Sequence, residues 1–190
     1  MQTNDLISSL KQAYRLKSIP RTGWIQSGIP ALNVESIAAH SFGMSILILY
    51  LRPQLLQANI NIERCLNMAI IHDLAESVVG DITPLDQISI ADKYSAESAA
   101  FQDIIGGVDG GQHFKKVWDE FEAGHTPESL VVKRMDKLDM LIQAYIYEKA
   151  HTINLDSFWV GMDDFFKDTE SEPIYNYIRQ NRFETEGNNK

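Results

Sequence analysis

A chain of 190 residues with 44% hydrophobic and 23% charged residues has globular composition and length for one sizeable core, which excludes wholesale disorder. The formal net charge of −9 disfavours a nucleic-acid polymer as partner, because a phosphate backbone needs a basic surface; a small phosphate ester needs only one or two local cations. Cys65 is the only cysteine, so no intramolecular disulfide is possible and nothing points to an oxidising compartment.

The first seventeen residues are amphipathic and lack the apolar core of a signal peptide. The apolar run over 44–51 falls short of the roughly 20 residues that span a bilayer. A cytoplasmic protein without membrane association is the expectation.

Leu6, Leu10, Ala13 and Tyr14 predict a first amphipathic helix, closed by Pro20. Residues 21–34, with Gly23, Gly28 and Pro30, read as irregular. Apolar positions over 37–51 predict a second helix that stops near Pro53, and those over 62–79 a third that stops at Gly80. The stretch 80–91 reads as a loop. Further helices are predicted over 92–105, 112–123, 127–149, 155–167 and 172–181, with Thr126 as cap and Pro127 at the first position of one of them. No segment shows the period-two alternation of a strand. The expectation is one all-α domain of about eight helices over residues 1–185, with a frayed tail at 186–190.

The third predicted helix contains His72, Asp73 and Glu76 among Ile70, Ile71, Leu74, Ala75, Val78 and Val79. An ionised carboxylate on so apolar a helix is costly unless a positive partner meets it. A divalent cation is such a partner, and His72 with Asp73 offers it one nitrogen and one oxygen. A His-Asp pair alone is more often a satisfied core pair than a ligand set. Here His40 opens an apolar helix upstream, and Asp136 and Asp139 flank the stripe Val131, Met135, Leu138, Ile142 downstream. The separations are long enough for three helices to converge on one point. Periodicity does not choose between Asp136 and Asp139.

The ordered set His40, His72-Asp73 and Asp136 resembles the HD superfamily of metal-dependent phosphohydrolases, and the Asp136-Lys137-Leu138 context matches its final aspartate. Arg21-Thr22-Gly23-Trp24, His72-Asp73-Leu74-Ala75-Glu76 and Val79-Gly80-Asp81-Ile82-Thr83-Pro84 resemble the 5′-deoxynucleotidase branch. The resemblance covers about residues 3–150.

It implies an HD-domain helical bundle with one divalent metal ion (Co²⁺, Mn²⁺, Mg²⁺ or another transition metal) held by His40, His72, Asp73 and Asp136. Glu76 and Asp73 would form the catalytic pair, Glu76 as acid, base or water-orienting group. Arg21 would grip the 5′-phosphate, with His40 also bordering the substrate. Trp24 would pack on sugar or base, and Asp81 would accept from the 3′-hydroxyl with Thr83 nearby. The implied reaction is hydrolysis of a deoxyribonucleoside 5′-monophosphate by a homodimer. Alternatives are an HD phosphodiesterase, a nucleoside triphosphatase, or a catalytically weak nucleotide- or metal-binding protein. The first would use His113 and His125 as extra ligands; the last is motivated by Ala39, where this branch usually has an acidic residue. Glu35, one helical turn away, is placed to compensate.

Overall fold

Residues 3–151 and 153–183 are described by a computed structural model, and they contain helices and connecting turns but no strand. Helix α1 (Thr3–Tyr14) lies on the outside, its Gln12 side chain donating to the Ser77 carbonyl at 2.6 Å. A short helix α2 (Thr22–Gln26) interrupts the segment expected to be irregular. An antiparallel bridge between Pro20 and Ser36 clasps the two ends of that segment, with Arg21 N–H donating to the Glu35 carbonyl at 3.0 Å.

Helix α3 (Ile37–Tyr50) is apolar on nearly every side, capped by the Ser36 hydroxyl, and it buries Ile37, His40, Met44, Leu47 and Ile48. Pro53 does more than stop it: proline is tolerated in a first turn, and α4 (Arg52–Gln57) starts there.

The helix predicted over 62–79 is interrupted. Helix α5 (Ile62–Ile71) ends just before His72, and α6 (Glu76–Val79) follows after a tight stretch. Leu74 N–H bonds to the Ile71 carbonyl at 3.0 Å and Glu76 N–H to the Asp73 carbonyl at 3.0 Å, so the ladder tightens to a three-residue step. A three-residue step turns successive side chains by a larger angle than an α-helix does. The apolar periodicity barely changes across such a junction, which is why sequence alone reads it as continuous.

Helices α7 (Ile90–Ile105), α8 (Gly111–Ala123) and α9 (Pro127–His151) complete the bundle, the last beginning at Pro127 after Thr126 as expected. The helix predicted over 155–167 is two single turns, α10 (Asp156–Trp159) and α11 (Met162–Phe166), split at Gly161, whose φ of +76° suits glycine. Helix α12 (Glu172–Asn181) packs back on α9. Helices α3, α5 and α9 surround the main core of Met44, Ile48, Met68, Val132, Met135 and Leu138. A smaller cluster around Phe101 and Trp118 joins α7 and α8 to the α5–α6 junction. The expected frayed tail at 186–190 lies outside the described residues. Among the described residues no helix is long and apolar enough to cross a membrane.

Candidate metal centre and substrate cavity

His40 arrives from α3, His72 and Asp73 from the α5–α6 junction, and Asp136 from α9. The donor atoms of His40, His72 and Asp73 lie within 4.8 Å of one another. His72 Nε2 is 3.1 Å from Asp73 Oδ2, and His40 Nε2 is 3.2 Å from Asp136 Oδ1. Two ligands bound to one ion at about 2.1 Å and near a right angle stand about 3 Å apart, so these spacings suit a shared cation.

The imidazoles are set up alike. His72 Nδ1 is 3.0 Å from the Ala69 carbonyl, and His40 Nδ1 is 2.7 Å from Asp139 Oδ2. Both of those oxygens accept, so each Nδ1 carries a proton, and Nε2 is the atom each ring would offer to a metal ion. Both Nε2 atoms are buried without a hydrogen-bond partner. Buried polar atoms are rarely left so, and two converging on one point fit a metal ion. Asp136 and Asp139, which periodicity does not tell apart, meet different edges of one ring: Asp136 the Nε2 edge of His40 and Asp139 the Nδ1 edge.

Electrostatics describe a cluster that needs cations. Burial and Arg21 push the His40 imidazolium down, but the carboxylates of Asp136 and Asp139 against its two edges outweigh them and raise it to about 9. Burial pushes Asp73 up, yet His72 and Arg21 hold it well below the usual carboxylate range. Burial likewise opposes ionisation of Asp136, which His40 and Lys137 hold far down. Glu76 behaves oppositely. Burial first, then the charges of Asp73 and Asp81, push it up to about 10, and its Oε2 has no hydrogen-bond partner.

Above these groups opens a cavity of about 1200 Å³ lined by Arg21, His72, Asp73, Glu76, Asp81, Thr83 and Asp136, with Lys93, Lys137 and Phe158 among the further walls. Arg21 Nη1 donates to Asp73 Oδ2 at 3.2 Å. Gly80, at φ +82°, turns the chain so that Asp81 accepts a hydrogen bond from Thr22 N–H, tying this loop to the start of α2. Thr83 already donates its hydroxyl to Asp86 at 2.9 Å, so toward a ligand it retains only acceptor capacity.

Two residues expected at the substrate are nearly or fully buried. His40 is fully buried and does not line the cavity; it meets the site from beneath, through Nε2. Trp24 borders the cavity but is 2% exposed, stacked 4.5 Å from Phe158 and donating Nε1–H to Glu35 at 2.9 Å. It forms wall and support, leaving little ring for a base to stack on. His113 and His125 are exposed and belong to neither the cavity lining nor the metal-donor groups found among the described residues. Lys93 also lines the cavity, without a signal in the sequence. It sits one turn into α7, donates to the Ile82 carbonyl at 3.1 Å and pairs with Glu97.

The model of a family described as "HD domain" matches residues 13–172. A 5′-deoxynucleotidase HDDC2 of Danio rerio is 35% identical over 171 residues, which cover 89% of this chain and 80% of that protein. The 5′-deoxynucleotidase hdd1 of Schizosaccharomyces pombe is 40% identical over 141 residues, covering 71% and 68%. Among solved structures, a protein from Pyrococcus horikoshii OT3 superposes with a TM-score of 0.76 at 34% identity, covering 92% of this chain and 96% of that one.

Proposed function

Since this chain belongs to the HD-domain family, we propose that it hydrolyses deoxyribonucleoside 5′-monophosphates to deoxyribonucleosides and phosphate. The observation that carries the reading is the pair of partnerless Nε2 atoms of His40 and His72 converging with Asp73 beneath a cavity that also holds Arg21 and Asp81. The names of the similar proteins support the monophosphate as substrate.

His40, His72, Asp73 and Asp136 would hold a divalent metal, which would supply Lewis-acid chemistry by neutralising phosphate charge and acidifying a water. Arg21 offers its guanidinium to the phosphate from beside Asp73, keeping the ester next to the ligand set. Glu76 carries a proton at neutral pH in the metal-free cluster, and its partnerless Oε2 is placed to orient water or exchange a proton. Asp81, anchored by Thr22 N–H, presents its remaining acceptor capacity to a sugar hydroxyl.

Two finer readings accompany it. Phe42, Leu49 and Tyr50 form an exposed apolar stripe on α3 that supports a homodimer, which light scattering tests. The proposed location is the cytoplasm, with which a free, buried Cys65 is compatible.

The decisive assay incubates the protein with dAMP, dGMP, dCMP, dUMP, TMP and the ribonucleotides, each with Co²⁺, Mn²⁺ or Mg²⁺, and measures released phosphate. Release from deoxyribonucleotides is expected. No release from any of them overturns the proposal.

A further inference from the structure

His40 is held between two aspartates of one helix. Asp136 and Asp139 are three residues apart on α9, so they project from one face with a single turn between them. Asp136 Oδ1 lies 3.2 Å from Nε2 and Asp139 Oδ2 2.7 Å from Nδ1, so α9 grips both edges of one imidazole. The ring itself is fully buried, and its Nδ1 contact is to a carboxylate, the strongest acceptor available to it.

Asp139 reaches that ring only because α3 has no side chain one turn past His40. A Cβ built on Gly43 would lie 2.0 Å from Asp139 Oδ1 and 2.9 Å from its Cγ, closer than any real carbon approaches. Glycine is the poorest helix former short of proline, and Gly43 sits inside a fourteen-residue helix. Its φ is not in the left-handed region, so turn geometry does not call for it. Close approach does.

Behind the carboxylate, Glu35 offers an oxygen within 4.8 Å of Asp139 and His40 donor atoms, and Trp24 Nε1–H fixes Glu35 at 2.9 Å. Tyr147 adds a hydrogen bond to Glu35 N–H at 2.8 Å from α9. Ala39, by contrast, is exposed on α3, away from this network. The acidic support of His40 therefore comes from α9 and from the turn before α3.

We infer that Asp139, given room by Gly43, is a positioning residue for the metal centre: it fixes the His40 ring and its tautomer so that Nε2 faces the ion. Imidazole ligands oriented by a carboxylate bind metal more tightly than unsupported ones. The inference rests on the reading of His40 as a ligand, and the test separates the two. A merely structural Asp139 would satisfy a buried imidazole and leave metal affinity untouched.

The experiment measures Co²⁺ affinity by chelator competition and the Co²⁺ absorption spectrum for the unsubstituted protein, H40A, D139N, D139A and G43A. The melting midpoint of each metal-free variant and the ¹⁵N shifts of the His40 ring are recorded alongside. Asp139→Ala is expected to weaken Co²⁺ binding toward the upper end of about 10–100-fold and Asp139→Asn toward the lower end. Gly43→Ala is expected to weaken binding as well, although alanine favours the helix. In D139A the His40 Nδ1–H loses its carboxylate partner, which is expected to shift the Nδ1 ¹⁵N resonance. Excess Co²⁺ restores bound metal.

Affinity within about twofold of the unsubstituted protein in the aspartate variants, with H40A binding poorly, overturns the positioning role. Unchanged affinity in H40A overturns the ligand reading and the inference with it. If Asp139→Ala fails to fold, the isosteric Asp139→Asn decides on the same criterion.

Discussion

Arg21 Nη1 and Asp73 Oδ2 meet at 3.2 Å, and the same carboxylate oxygen lies 3.1 Å from His72 Nε2. One oxygen thus connects the cation proposed to hold phosphate with the ligand set proposed to hold metal. Burial opposes the charge on Arg21, but Asp73, Asp136, Asp81 and Glu76 raise its pKa above the ordinary arginine value, so it is always a cation. The loop bearing it is fixed independently, through Arg21 N–H to the Glu35 carbonyl and Thr22 N–H to Asp81.

Removing that cation should be felt in the reaction more than in the fold. A hydrogen bond to a charged group contributes about 1.5–3 kcal/mol, so Arg21→Ala should lower kcat/KM for dAMP by roughly 10–150-fold at saturating metal. Arg21→Lys should recover only part, because an ammonium lacks the planar fork. Steady-state phosphate release decides it; an unchanged kcat/KM would place the phosphate elsewhere.

Metal uptake should be linked to pH. In the metal-free protein His40 stays protonated up to about 9, and a metal must displace the proton on Nε2. Asp73 and Asp136 are held low and bring no proton change in this range. Co²⁺ affinity should therefore rise from pH 7 to 9, with proton release visible by calorimetry in buffers of different ionisation enthalpy. His40→Ala should remove most of that release when compared at Co²⁺ concentrations that saturate the weaker-binding variant.

The same shifts set the stability of the metal-free protein. His40 is raised from 6.5 to about 9 and Glu76 from 4.5 to about 10, so the folded state binds more protons than the unfolded one across that window. Each contribution is complete below the unfolded pKa and lost as pH rises through the folded one. The melting midpoint without metal should fall between pH 5 and 10, and Glu76→Gln, which has no proton to lose, should flatten the slope.

The His72-Asp73 dyad is legible in sequence because a charged pair inside an apolar run needs an explanation. The break that presents it is not legible, since the apolar positions 70, 71, 74 and 75 serve a tightened turn as well as a helix. Asp136 and Asp139 cannot be told apart by periodicity, because both face α3 and differ only in which edge of one imidazole they meet. Trp24 illustrates a further limit. A tryptophan beside a phosphate-binding arginine can line a cavity or support it, and only three-dimensional packing against Phe158 and Tyr147 shows the ring to be nearly all interior. Gly43 carries no local mark at all, because its purpose lies on another helix.

At the far end of α9, Glu148 and Arg182 form an ion pair with side chains 2% and 1% exposed. Arg182 Nε donates to Glu148 Oε2 at 2.8 Å, a second guanidinium nitrogen bridges to Asp156 at 2.8 Å, and Leu155 N–H donates to Glu148 Oε1 at 3.0 Å. The pair joins α12 to α9 and α10. Removing one partner strands a buried charge, so Glu148→Ala should cost about 3–5 kcal/mol in urea unfolding, whereas replacing both by leucine should recover most of that loss. The Co²⁺ affinity of the folded fraction should not change in either variant, because none of these residues lines the cavity or belongs to the metal-donor group. A loss of stability in the single variant without loss of metal binding would separate the latch from the centre. Equal stability of the single and double variants would instead show that Arg182 finds water or Asp156 when Glu148 is gone.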